Sequence, residues 1–193
     1  MKYMKPWPLF NEVKKVSGGC VEGNRLLGLD VGGKYVGLAI SNPSCTVASP
    51  LRVLVRKKTH LDSMIDSLRS LVSEIPLHGF VVGCPWAARR HNKIHAYVVK
   101  EFVEDLRRTG SFENLLFTYW DECFTSKNVE LMLKPLDLDP FHAKIIVDKF
   151  AAVGILQVLL SQSRNGFLCE RVELQGYLDY VNKKLRLKAD SEA

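Results

Sequence analysis

The chain has 193 residues, of which 47% are hydrophobic and 25% charged, and a formal net charge of +6. That is enough for one domain with a real core, and no apolar run reaches the ~18 residues of a membrane-spanning helix, so no membrane partner is expected. The positive charge permits an anionic partner such as nucleic acid without requiring one.

Cys20, Cys45, Cys84, Cys123 and Cys169 are odd in number and contain no C-x-x-C pair. This argues for reduced thiols in an intracellular compartment, with the cytoplasm favoured. Residues 1–24 read as an N-terminal extension, an extended arm in which Pro6 and Pro8 oppose helix and Ser17-Gly18-Gly19 forms a joint. Trp7, Leu9 and Phe10 are expected to dock on the body or on a partner, the body being the simpler expectation. The arm lacks the apolar core of a secretory signal.

The first strand runs over Leu26–Val31 and carries Asp30 at its end. Gly28 leaves room mid-strand for another element to approach. Gly32-Gly33 signals a hairpin turn into an antiparallel second strand, Tyr35–Ser41. A third strand follows over Leu51–Val55, ending in Arg56-Lys57-Lys58. Leu61, Met64, Ile65, Leu68, Leu71 and Val72 recur at helical spacing. Phe80-Val81-Val82-Gly83 has the unbroken apolar character of a strand buried on both faces. The helix over about 92–108 is expected to turn Ile94, Val98, Phe102 and Leu106 inward.

Leu115–Trp120 forms another buried strand, with Asp121-Glu122 at its end. Thr125 can cap a helix over 126–133. Pro135 and Pro140 bracket a loop, and the helix over about 143–161 is apolar almost all round, hence buried. Within it Asp148 shares a face with Ala151, Ala152 and Ile155, so its carboxylate enters a crowded region. Residues 166–193 read as a basic helix, about 171–187, and a tail. The sum is one α/β domain over residues 25–165. Its sheet is five-stranded and mixed, with spatial order 3-2-1-4-5, strand 2 antiparallel, and helices on it.

Three carboxylates, Asp30, Glu122 and Asp148, thus stand at the edges of core elements. An ionised buried carboxylate is costly without a partner. For Asp148 that partner is either a nearby lysine, Lys144 or Lys149, or a shared metal ion. Mg²⁺ or Mn²⁺ explains all three acids together, because hard ions take oxygen ligands and a two-ion site can cleave phosphodiesters. Asp121 and Thr125 are supporting candidates. Arg56, Lys57, Arg89, Arg90 and Lys93 lie where a phosphate backbone could pass, and Trp86 could stack on a base. His91 and His95 have zinc-compatible spacing, but no fourth ligand is evident and an exposed helix face is the simpler reading. Cys123 has no matched histidine base, which opposes a thiol nucleophile.

In order and spacing, several motifs resemble the YqgF family of ribonuclease H-like proteins, named for pre-16S rRNA nuclease and Holliday-junction-resolvase-like activity. They are Gly28-Leu29-Asp30-Val31-Gly32 with Gly37 and Ala39, then Ala48-Ser49-Pro50-Leu51, Val81-Val82-Gly83-Cys84-Pro85, Trp120-Asp121-Glu122-Cys123-Phe124-Thr125 and Val147-Asp148-Lys149-Phe150-Ala151-Ala152-Val153. The resemblance runs from about Leu26 to Leu160. It implies a ribonuclease H-like fold and metal-dependent hydrolysis of structured nucleic acid. Precursor ribosomal RNA is then the favoured substrate, RNA ahead of DNA, with the acidic positions at Asp30, Glu122 and Asp148. The chain departs from the family where Cys123 replaces the usual arginine and Trp86-Ala87-Ala88-Arg89-Arg90 replaces an Asn- and Gly-containing loop. The stretch from Asp137 to Lys144 is also less basic than the family's. The lost arginine and the less basic stretch favour the alternative of a catalytically weak RNA- or DNA-junction-binding relative, which the three retained acids disfavour; a Holliday junction resolvase is a further alternative. An ATP-binding protein of the sugar-kinase class also carries Asp-x-Gly-Gly in its first hairpin, but it needs two domains, and this chain is too short.

Overall fold

The computed structural model describes residues 1–17, 25–56, 61–85, 93–121, 129 and 139–165. Six strands, β1 (Lys2–Tyr3), β2 (Arg25–Val31), β3 (Tyr35–Ser41), β4 (Ala48–Val55), β5 (Leu77–Gly83) and β6 (Leu116–Trp120), form one sheet in the order β1-β6-β5-β2-β3-β4. The helices described are α1 (Pro6–Ser17), α2 (Leu61–Glu74), α3 (Lys93–Arg108) and α4 (Pro140–Asn165). β3 is antiparallel to both β2 and β4, while β2, β5, β6 and β1 run parallel. The expected run 3-2-1-4-5 is present as β4-β3-β2-β5-β6. The sheet differs from that expectation in having a sixth strand, β1, on the outer edge of β6.

Strand alternation sorts the side chains onto two faces. Leu27, Leu29 and Val31 of β2 join Val36, Leu38, Phe80, Val82 and Phe117 in a core covered by α2 and α3. Leu26 of β2 faces the other way, with Ala39, Val81, Leu9, Phe10, Ala152 and Leu156, beneath α1 and α4. Gly28 and Asp30 belong to this second face.

The N-terminal stretch is a correction. It is not an extended arm: its described part forms β1, paired in parallel with β6, and then α1. Pro6 does not oppose the helix because it is the helix's first residue, where a missing N–H costs nothing and the fixed φ is already helical. Pro8 falls within the same first turn, whose N–H groups have no intrahelical partner either. Leu9, Phe10 and Val13 are buried against α4 and the sheet.

Smaller corrections have the same local character. β4 begins at Ala48, earlier than expected, and accommodates Pro50 because it is an edge strand. α4 begins at Pro140, again a first-turn proline. On α3 the buried residues are Ala96, Val99, Phe102, Val103 and Leu106, while Ile94 is exposed. A strict four-residue step drifts about 40° per step on a 3.6-residue helix, so Ile94 lies well off the face defined by Leu106. The expected helices over 126–133 and 171–187 lie outside the described residues. No described helix is long and apolar enough to cross a membrane.

Candidate active site

The site is built by two glycines that let α4 lie directly on the sheet. A Cβ at Gly28 would meet the Ala152 carbonyl oxygen at 2.9 Å and Leu156 Cβ at 2.9 Å. A Cβ at Gly37 would run into the Asp148 carbonyl. The mid-strand gap expected at Gly28 is thus filled by the stretch of α4 that carries Ala151 and Ala152, both fully buried. At its far end α4 is tied down by Gln157, whose Nε2 donates to the Thr46 carbonyl at 3.2 Å and whose Oε1 accepts from the Ala48 N–H at 2.8 Å.

This contact fixes the relation of two acids. Asp30 is the cross-strand partner of Gly37 in the β2–β3 ladder, and directly opposed residues on antiparallel strands place their side chains on one face. The Gly37 Cβ direction points at Asp148, so the Asp30 side chain emerges on the α4 face, next to the turn of helix that carries Asp148. Alternation from Gly28, which touches the same helix, gives the same answer. Asp30 is 7% exposed and Asp148 3% exposed. Two acidic residues, 118 positions apart in the chain, therefore lie on the same face of the sheet, and both are buried.

Asp148 is half-compensated. Lys144, one turn earlier on α4, donates from Nζ to Asp148 Oδ1 at 2.6 Å. Asp148 Oδ2 is buried with no hydrogen-bond partner among the described residues. Of the two alternatives for Asp148, the lysine is the one observed, on one oxygen; the second oxygen is a hard, desolvated donor of the kind that could bind Mg²⁺ or Mn²⁺. Leaving such an oxygen unsatisfied costs about 1–3 kcal/mol or more. The donor set fits a small divalent cation. Among the described residues no group of three or more His, Cys, Asp and Glu could hold a metal ion; of the three expected acids, Asp30 and Asp148 are described.

Glu122 and Thr125 lie outside the described residues. Asp121 is exposed, immediately after β6. It continues the alternation of Phe117 and Tyr119, which pack in or against the α2–α3 core. Its side chain therefore belongs to the face opposite Asp30. Of the basic candidates, Lys57, Arg89 and Arg90, with Trp86, lie outside the described residues. Lys93 is exposed at the start of α3. Arg56 is half-buried: its Nη1 donates to the Gly32 carbonyl at 3.4 Å and its guanidinium sits 5.5 Å from the Phe102 ring centroid. It braces the turn that follows Asp30. Gly37 is the residue that sequence reasoning passed over. Its signal was only its place in a family motif, because the reason for a glycine there lies on α4.

A sequence profile described as "RuvX: Holliday junction resolvase" matches residues 24–162. The chain belongs to this family of nucleases. A relative from Jannaschia sp. is 29% identical over 157 residues, covering 81% of this chain and 97% of its own length. One from Paramagnetospirillum magneticum is 34% identical over 143 residues, covering 74% and 88%. Both carry the name "Putative pre-16S rRNA nuclease". Among solved structures, Thermus thermophilus RuvC in complex with a Holliday junction substrate superposes with a TM-score of 0.44 at 13% identity, covering 73% of this chain and 96% of its own.

Proposed function

We propose that this RuvX-family chain is a metal-dependent nuclease. It hydrolyses phosphodiester bonds in structured nucleic acid, with precursor ribosomal RNA as its substrate and Asp30, Glu122 and Asp148 as the residues that hold Mg²⁺ or Mn²⁺. The observation that carries this reading is the buried Asp148 Oδ2, without a protein partner among the described residues, on the face that also carries Asp30. The relatives' names support the RNA substrate. The family description favours a second reading, resolution of four-way DNA junctions by the same site.

A bound divalent cation supplies Lewis-acid polarisation of the phosphate and a water of lowered pKa. The chain's own residues do the rest. Asp30 is held rigidly by the ladder on both sides of β2. Asp148 is seated through its own carbonyl on Gly37, so its carboxylate has little freedom to turn away. Lys144 balances the charge of Asp148 and keeps that acid in the folded core. Glu122 completes the acid set, with Thr125 in support, while Asp121 faces away from Asp30. Lys57, Arg89, Arg90 and Lys93, with Arg56 beside the turn, draw the phosphate backbone to the rim, and Trp86 stacks on a base. Water attacks phosphorus and the bond to the 3′ oxygen breaks, leaving a 3′-hydroxyl and a 5′-phosphate. The reaction belongs to the cytoplasm.

The test is cleavage by the pure protein of precursor rRNA fragments, single strands and four-way junctions, in Mg²⁺, Mn²⁺ or EDTA. Cleavage of the rRNA fragment is expected with either metal and none in EDTA. Asp30→Asn and Asp148→Asn should each abolish it with the circular dichroism unchanged. Preference for the junction would establish the second reading, and tight binding without cleavage the weak-relative alternative. Cleavage that survives Asp30→Asn overturns the assignment.

A further inference from the structure

We propose that the N-terminal strand–helix unit, β1 with α1, is a second nucleic-acid contact. In it the Trp7 indole stacks on an unpaired base of the strand entering or leaving the acid site, and Lys2 and Lys5 meet that strand's phosphates. The proposal rests on the nuclease reading for the presence of that strand.

The unit stands ahead of the matched family segment, residues 24–162, so it is not part of the shared nuclease frame. It is firmly docked: Leu9 and Val13 are 0% exposed and Phe10 1%. Yet the same helix leaves Trp7 52% exposed, and β1 leaves Tyr3 50% exposed. The Trp7 ring stacks on Phe10 at 6.3 Å with 23° between planes, so its indole is braced from within and open to solvent. Tyr3 packs edge-on to Phe117 at 5.6 Å and tilted against Tyr119 at 6.2 Å, on the sheet face opposite Asp30. Rings held rigidly in this manner lose little freedom when a base stacks on them.

The surrounding charge selects the partner. Lys2, Lys5, Lys14 and Lys15 are all exposed, and Glu12 is the one acid in residues 1–17. Protein interfaces enrich tryptophan but deplete lysine. Single-strand nucleic-acid sites combine aromatic platforms with lysine and arginine. Lysines beside a half-exposed indole therefore point to a polyanion with π faces rather than to a protein surface.

Position supports the same partner. Tyr3 lies level with Phe117, and Trp120, three residues on, lies level with Gly83. In the parallel neighbour β2, Leu29 is level with Val82, which places Asp30 at the same height. α1 follows the C-terminal end of β1, which runs in the same direction as β2, so it begins toward the strand ends where Asp30 lies. Trp7 and Lys5, at the start of α1, thus lie toward the same end of the sheet, with β1 three strand spacings, about 14 Å, from β2. A stacked strand covers that span in about four nucleotides at ~3.4 Å each.

The experiment measures affinity of the full-length protein for a duplex with single-stranded overhangs of increasing length and for its blunt counterpart, in EDTA so that nothing is cleaved. Trp7→Ala is expected to weaken overhang binding about five- to a hundredfold while leaving blunt-duplex affinity unchanged. Trp7→Phe should keep most of the overhang affinity. The double variant Lys2→Ala with Lys5→Ala should reduce the log–log salt slope on the overhang by about 1.4, at ~0.7 per phosphate contact on a single strand. That arm stands even if Trp7→Ala disturbs folding. Wild-type protein that binds and cleaves but responds to none of these changes overturns this inference alone, which is also what a protein-docking surface would give. Failure of the wild type to bind any nucleic acid overturns both this inference and the nuclease reading.

Discussion

Gly37 is where one missing methyl group decides the geometry of the site. Any side chain there would drive its Cβ into the Asp148 carbonyl and crowd the Lys149 N–H, both backbone atoms of a buried helix. Gly37→Ala must therefore lift α4 or bend β3. We expect it to destabilise the fold by about 1–3 kcal/mol, the usual range for overpacking, read as a lower midpoint in urea at unchanged slope. Cleavage should fall further than stability, because a misplacement of ~1 Å at a reacting centre costs about a hundredfold. Unaltered stability would mean that the helix does not rest on Gly37. The two acids themselves were legible in the sequence, Asp30 as a carboxylate closing an apolar strand and Asp148 as a charge inside an apolar helix. Gly37 was not, because what it accommodates lies 111 positions away and only the folded sheet brings it near.

At the scale of elements, the central meander and the alternation that follows were readable because each strand is a short apolar run bounded by turn signals. β1 and α1 were misread, since proline signals a broken helix in the interior and a started one at the first turn, and spacing alone does not say which applies. The order of the five expected strands followed from the hairpin meander and connection handedness. The sixth strand did not, because two residues pairing at an edge leave no periodic signal. α1 earns its place through Leu9, Phe10 and Val13, which fill the core beneath α4. Leu9→Ala should then cost about 2–5 kcal/mol, as for other fully buried leucines. For a chain of this size each kcal/mol lowers the melting temperature by about 2–4 °C, which calorimetry would detect. A change within about 0.5 kcal/mol would mean that α1 is an appendage rather than part of the core.

At the scale of the whole molecule, the proposed acid site would set function against stability. Without a cation the fold carries a buried Asp148 Oδ2 with no hydrogen-bond partner among the described residues and relies on Lys144, whose side chain is 57% exposed, for the other oxygen. Repulsion among carboxylates alone would make Asp148→Asn stabilising in metal-free buffer. The Lys144 pair removes much of that repulsion, so we expect no gain from Asp148→Asn there. A ligand that binds only the folded state adds RT ln(1 + [L]/Kd), about 2.7 kcal/mol at a hundredfold excess over Kd. Saturating Mn²⁺ should accordingly raise the melting temperature by about 5–10 °C in the wild-type protein and by nothing resolvable in Asp30→Asn or Asp148→Asn. Lys144→Met separates the two compensations. Removing the ammonium leaves both Asp148 oxygens without that donor, so the metal-free protein should melt lower and the Mn²⁺-induced rise should be larger than in the wild type. A scan of the four proteins with and without Mn²⁺ checks this, independently of any nuclease assay. If Mn²⁺ moves the wild type no more than it moves Asp148→Asn, the buried carboxylates are a structural ion-pair site and do not hold a cation.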